Sequence, residues 1–149
     1  MNSNKSAKIF VVDDDIMYLK MIEIEFLQYP DFKLETYATG EICLENLSHA
    51  PDLIILDYHL DGIDKNAMNG IQTLDAIKAI NPGIPVVMLS AQDKIEVAIN
   101  CMHHKAFDYI VKNETAFIRL QKVIATILDT QKLEKSLEWY MERMSSRFK

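Results

Sequence analysis

The chain has 149 residues, 49% of them apolar and 26% charged, with a formal net charge of −6, which suffices for one globular domain with its own core. The acidic balance argues against a surface of clustered Lys and Arg that would neutralise nucleic-acid phosphates. No apolar run approaches the roughly 18 residues of a bilayer span, and the polar opening MNSNKSAK has no signal-peptide core. A cytoplasmic protein without a membrane or nucleic-acid partner is expected.

The first apolar run, KIFVV (Lys8 to Val12), leads straight into three aspartates, Asp13, Asp14 and Asp15, and then into a segment of helical period from Ile16 to Gln28. After Pro30 comes FKLETYA (Phe32 to Ala38), whose alternation marks an edge strand. A second helical segment, Glu41 to His49, ends before Pro51 and is followed by DLIIL (Asp52 to Leu56). Gly70 to Ile80 predicts a third helix, stopped by NPGIP before PVVMLS (Pro85 to Ser90). A fourth helix is expected from Asp93 to Lys105, with Ile95, Ala98, Ile99 and Met102 on one face, ahead of the fifth strand, DYIVK (Asp108 to Lys112). Four of the five strands are nearly continuous Val/Ile/Leu runs, as in parallel strands covered on both faces. Five alternations of strand and helix predict a doubly wound α/β sheet.

A last helix begins near Thr115, a candidate N-cap, and Phe117, Leu120, Ile124, Ile127 and Leu128 form the face that closes the domain. The expected organisation is a polar N-terminal tail (1–7), one domain (8–128) and a C-terminal helical extension (129–149). In the extension Leu133, Leu137, Tyr140 and Met144 follow at spacings of four, three and four. Two readings of that stripe stand: a solvated helix lying back on its own domain, or a dimerisation or partner-binding helix with a coiled-coil seam. Cys43 and Cys101 are too few and too distant for a disulfide framework and read as reduced packing residues.

In an open parallel sheet, ligands bind beyond the carboxyl ends of the strands. The residues there are Asp13 and Asp14 after the first strand, Asp57 after the third, Ser90 after the fourth and Lys112 after the fifth. Three carboxylates within a few ångströms repel by about 1 kcal/mol per pair in water, and by about 4 kcal/mol at an effective dielectric of about 20, so they need a cation. An oxygen-only ligand set suits Mg²⁺, which characteristically joins one or two carboxylates to a phosphate oxygen. A carboxylate can itself accept a phosphoryl group when a metal and a positioned cation neutralise the charge; Lys112 would supply that cation and the Ser90 hydroxyl could hydrogen-bond the phosphoryl oxygens.

With VVDDD (Val11 to Asp15), LIILDYHL (Leu53 to Leu60), MNG (Met68 to Gly70), VVMLSA (Val86 to Ala91) and DYIVK (Asp108 to Lys112) in order, the chain resembles the receiver domain of two-component response regulators over about residues 7 to 128. The resemblance implies a flavodoxin-like five-stranded sheet of order 2-1-3-4-5. It implies Asp57 as phosphoacceptor, Asp13, Asp14 and Asp57 as the Mg²⁺-holding carboxylates, and the His59 carbonyl completing the metal site. It also implies Ser90 as switch hydroxyl, Ala91 as the small residue that leaves room for the phosphoryl group, Tyr109 as switch aromatic and Lys112 as the lysine beside the acceptor. The implied partners are a sensor histidine kinase or phosphotransfer protein and a downstream target protein, with slow self-catalysed dephosphorylation.

Two departures stand out. The loop DYHLDGIDKNAMNG holds five residues more than the usual pattern between Leu60 and Met68, lacks its proline, and adds Asp61, Asp64 and Lys65. It is either a tolerated surface insertion or a contact for phosphodonors or partners. Asn113 replaces the proline that usually follows the lysine, often through a cis bond; a cis bond before another residue costs about 2.5–4 kcal/mol, so a trans bond or a strained one is expected. Two other functional readings remain open at this point: a receiver belonging to a larger regulator, and a Mg²⁺-dependent phosphohydrolase with an aspartyl nucleophile. Such hydrolases usually place a second acid where this chain has His59.

Overall fold

The computed structural model describes residues 6–147; residues 1–5 of the expected N-terminal tail and residues 148–149 lie outside them. The elements are β1 (Ala7–Val12), α1 (Ile16–Phe26), β2 (Phe32–Tyr37), α2 (Gly40–Glu45), a 3₁₀ turn (Leu47–His49), β3 (Leu53–Asp57), α3 (Gly70–Ile80), β4 (Val86–Ser90), α4 (Ile95–His103), β5 (Asp108–Val111) and α5 (Ala116–Arg147). The five strands are parallel in the order β2-β1-β3-β4-β5, with β2 on an edge as its alternation predicts.

Side chains alternate across a strand, so each buried strand feeds two cores. Ile9, Val11, Leu53, Ile55, Val87, Leu89 and Ile110 face one side, under Leu19, Ile22 and Phe26 of α1 and Leu120, Ile124 and Ile127 of α5. Phe10, Val12, Ile54, Leu56, Val86 and Met88 face the other, under Cys43, Leu74, Ile77 and Cys101 of α2, α3 and α4. Both cysteines are free and buried, and no helix among the described residues is long and apolar enough to cross a membrane.

Local chemistry sets the helix starts. Asp15 caps α1 by accepting from the Met17 and Tyr18 amides, and Asn69 and Gln72 form a capping box at α3. Thr115 does not act as the expected cap: its hydroxyl donates to Asn113 Oδ1 at 2.8 Å, and its amide donates to the same oxygen. The second helix is shorter than expected, because the chain tightens into the 3₁₀ turn after Asn46 and leaves it through Ala50 in the left-handed region.

The apolar face that periodicity marks on α4 points outward. Ile95, Ile99 and Met102 are exposed, whereas Val97 and Cys101 pack on the sheet. Both sets satisfy helical period; the sheet takes the smaller one. α5 runs without a break through Leu128 to Arg147, and Gln131 Nε2 donates to the Asp52 carbonyl at 3.0 Å on the underside of the sheet.

Candidate phosphoacceptor site

The carboxyl ends of β1, β3, β4 and β5 meet at one rim. Asp57 is the last residue of β3 and Ser90 the last of β4, while Asp13 follows β1 with its amide donating to the Tyr37 carbonyl. Oxygen atoms of Asp13, Asp14 and Asp57 all lie within 4.8 Å of one another. Asp13 and Asp57 are buried, at 1% and 4% exposure, and Asp14 is half-buried. The donor set is hard oxygen only and partly open, which fits a Mg²⁺ that keeps several waters. The His59 ring takes no part: it is exposed, lies edge-on to Tyr58, and its Nε2 accepts from the Gln92 amide at 2.8 Å.

Lys112 reaches in from the end of β5. Its Nζ lies 2.7 Å from Asp13 Oδ2 and 3.3 Å from Asp57 Oδ1, and 4.4 Å from the centre of the Tyr18 ring. All peptide bonds among the described residues are trans, so Lys112 arrives here with a trans bond to Asn113. Asn113 organises the following turn through its side-chain oxygen.

Burial, and after it the Asp13 carboxylate, pushes the Asp57 carboxyl up to about 7, with Lys112 opposing both. Lys112 is held above the usual lysine range by Asp13 and Asp57 against the desolvation that would lower it. Burial likewise raises the Tyr18 phenol.

Ser90 is fully buried, and its oxygen accepts from the Gln92 amide at 3.0 Å. The Tyr109 hydroxyl donates to the Gln92 carbonyl. Gln92 therefore ties together the Ser90 hydroxyl, the Tyr109 ring and, through its side chain, His59. Ala91 is exposed beside them.

Gly70 forms the floor of the loop after β3. A Cβ there would stand 2.5 Å from the Asp57 carbonyl and 2.6 Å from that of Tyr58, whose oxygen accepts the Gly70 amide. The inserted loop folds toward the acids: the Gly62 amide donates to Asp14 Oδ2 at 3.2 Å, and the Met68 amide to Glu41 Oε2 at 3.1 Å. With the start of α1 it encloses a cleft of about 420 Å³ lined by Asp14, Asp15, Ile16, Met17, Gly62 and Ile63. Tyr18, under Lys112, and the Gly62 amide on Asp14 have no sequence signature, because each meets its partner only through the fold.

Fold and rim together define a doubly wound α/β domain with an acidic, lysine-bearing pocket at the strand ends. The sequence matches the response regulator receiver domain over residues 9–125, and the chain belongs to that family. The transcriptional regulatory protein ZraR of Klebsiella oxytoca is 29% identical over 135 residues, which are 90% of this chain and 29% of that protein. This chain thus spans under a third of that relative. The receiver domain of NtrX from Brucella abortus superposes with a TM-score of 0.72 at 31% identity, covering 82% of this chain and 98% of that one. The signal receiver domain of a putative Luxo repressor protein from Vibrio parahaemolyticus gives a TM-score of 0.76 at 25% identity, covering 89% and 97%.

Proposed function

We propose that the protein is a cytoplasmic receiver that accepts a phosphoryl group on Asp57 from a histidine kinase or phosphotransfer protein and then switches a partner-binding surface. The carrying observation is the juxtaposition of the Asp13, Asp14 and Asp57 oxygens with Lys112 Nζ at 3.3 Å from Asp57. An Asp57 oxygen attacks the phosphorus of a phosphohistidine, the P–N bond breaks, and the imidazole leaves with the electron pair. Asp13 and Asp14 would hold Mg²⁺, together with the His59 carbonyl, and the bound ion would supply neutralisation of the phosphoryl oxygens. Lys112 adds a second positive charge on the same oxygens.

Ser90 would turn its hydroxyl toward the phosphoryl group, giving up the Gln92 amide, and Tyr109 would exchange its bond to the Gln92 carbonyl for an inward position. That movement alters the surface of α4, β5 and α5, which a downstream protein would read. Slow hydrolysis of the acyl phosphate resets it. Because ZraR is more than three times as long as the matched segment, the same switch would act on an attached output segment if this receiver belongs to a longer regulator.

The test is incubation with Mg²⁺ and a small acyl or amido phosphate, followed by mass spectrometry of peptides. One phosphoryl group on Asp57, absent in Asp57→Asn and absent in EDTA, is the expected result. Labelling at another residue, or rapid turnover of many phosphate esters, would refute the reading and favour the hydrolase.

A further inference from the structure

Lys112 arrives at the acceptor pocket on a backbone that is fixed and a side chain that needs fixing. Its amide donates to the Ser90 carbonyl at 2.7 Å, which sets the end of β5 against β4. Beyond Cα runs a flexible four-carbon stem ending in an ammonium with three N–H donors. The Asp13 and Asp57 carboxylates attract that ammonium at 2.7 and 3.3 Å. A third contact is uncharged: Nζ stands over the Tyr18 ring, 4.4 Å from its centre, well inside the reach of a cation–π interaction.

Tyr18 is itself held in place. Its amide donates to the capping Asp15 side chain at 3.3 Å in the first turn of α1. Its ring packs on the core shared by α1 and α5, with the Phe117 ring centre 6.2 Å away and the two planes 35° apart. Phe117 lies in the first turn of α5, five residues after Lys112, so one ring on α1 touches both ends of the β5–α5 junction. Burial raises the Tyr18 phenol above its ordinary value. The ring is therefore neutral at neutral pH, and it attracts the ammonium through its quadrupole.

We propose that Tyr18 is a positioning residue for phosphoryl transfer, seating the Lys112 ammonium where it meets the oxygens of the incoming group. The inference rests on the reading of Asp57 as acceptor. The need for a neutral seat comes from charge. The carboxylates that attract Lys112 belong to the set that suits a divalent cation, and in a loaded pocket they divide their charge between that cation and an ammonium that it repels. Their hold on Lys112 is then weakest when transfer needs it. An uncharged ring face does not compete for the metal and keeps its attraction. An aliphatic side chain at position 18 would fill the same space without that attraction, and the ammonium, whose side chain is already 14% exposed, would gain an easier exit to water.

Two measurements on the full chain test this. The first is the rate of Asp57 labelling by acetyl phosphate with Mg²⁺ in the wild type, Tyr18→Leu and Tyr18→Phe, each also combined with Lys112→Met. Tyr18→Leu should slow labelling roughly 2- to 30-fold, the span of a cation–π contact expressed as a rate. Tyr18→Phe, which keeps the ring face, should restore the rate. In the Lys112→Met chain the Leu substitution should make no further difference, because Tyr18 acts through Lys112. The second is NMR of the Lys112 side chain, which needs no phosphodonor: the ring current should shift its ε-methylene protons upfield in the wild type and in Tyr18→Phe, and the shift should vanish in Tyr18→Leu. A Leu variant that labels at the wild-type rate, a Phe variant as slow as the Leu variant, an equal slowing in the Lys112→Met chain, or unshifted Lys112 protons in a wild type that does label would each overturn the proposal. Absence of Asp57 labelling in the wild type would instead refute the acceptor reading beneath it.

Discussion

Replacing Asp57 by Asn should make the metal-free protein more stable, by an amount set by pH. The Asp57 carboxyl ordinarily titrates at 3.8 and is raised to about 7 in the fold by burial and by the Asp13 carboxylate. An acid whose folded value is raised holds its proton more tightly when folded, so stability is lost as pH climbs from about 4 to about 7, and the full penalty remains above that. Each pH unit of difference corresponds to about 1.4 kcal/mol, giving a penalty of about 4 kcal/mol at pH 8, about 2 kcal/mol at pH 5 and nearly none at pH 4. Asn is uncharged, fills the same space and leaves the 2.7 Å Lys112–Asp13 pair intact. Urea unfolding in EDTA at these three pH values measures the difference. A gain that does not change with pH, or a loss of stability in the Asn variant at pH 8, would refute the account of strain in the acidic pocket. Mg²⁺ at about 100 times its dissociation constant should return about 3 kcal/mol to the wild type through binding and little to the variant, which lacks one of the three carboxylates.

Three further outcomes follow from particular contacts. Lys112→Met removes the cation that faces buried Asp13 and Asp57 and should cost about 3–5 kcal/mol in metal-free urea unfolding above pH 7, where both carboxylates would be left without a counter-charge. Gly70→Ala forces a methyl group against the Asp57 and Tyr58 carbonyls and should lower stability by about 1–3 kcal/mol in thermal unfolding, with slower labelling of Asp57. Asp15→Ala removes the α1 cap and should cost about 1 kcal/mol while leaving phosphoryl acceptance in place, since Asp15 belongs to the helix start and not to the acid cluster.

The sheet was legible because its strands are short, apolar and bounded by turn residues, and the rim was legible because parallel topology sends every strand end to the same side. Asp13, Asp57, Ser90 and Lys112 meet where that logic places them. What the sequence left hidden is of a different kind. Periodicity showed that α4 carries an apolar face, but Ile95, Ile99 and Met102 compete with Val97 and Cys101, and only the packing against the sheet decides between them. The stacking of Tyr18 under Lys112, and the Gly62 amide on Asp14, depend on loop and helix placements that no local pattern encodes. Thr115 had the composition of a cap, yet Asn113, two residues earlier, captured its hydroxyl and amide.

Lys112 and Asp13 are separated by 99 residues of chain, and β5 is the edge strand that brings them together. During synthesis and folding, the aspartates of the first and third strands can come face to face well before the lysine that offsets them is in place. Contacts at such separation form late, after the loop-closure entropy between them has been overcome. The docking of β5 is thus also the step that completes the pocket, and a partly folded chain lacking it would carry mutually repelling acids without their cation. Competence to react with a phosphodonor thereby becomes a sign that the whole sheet has closed.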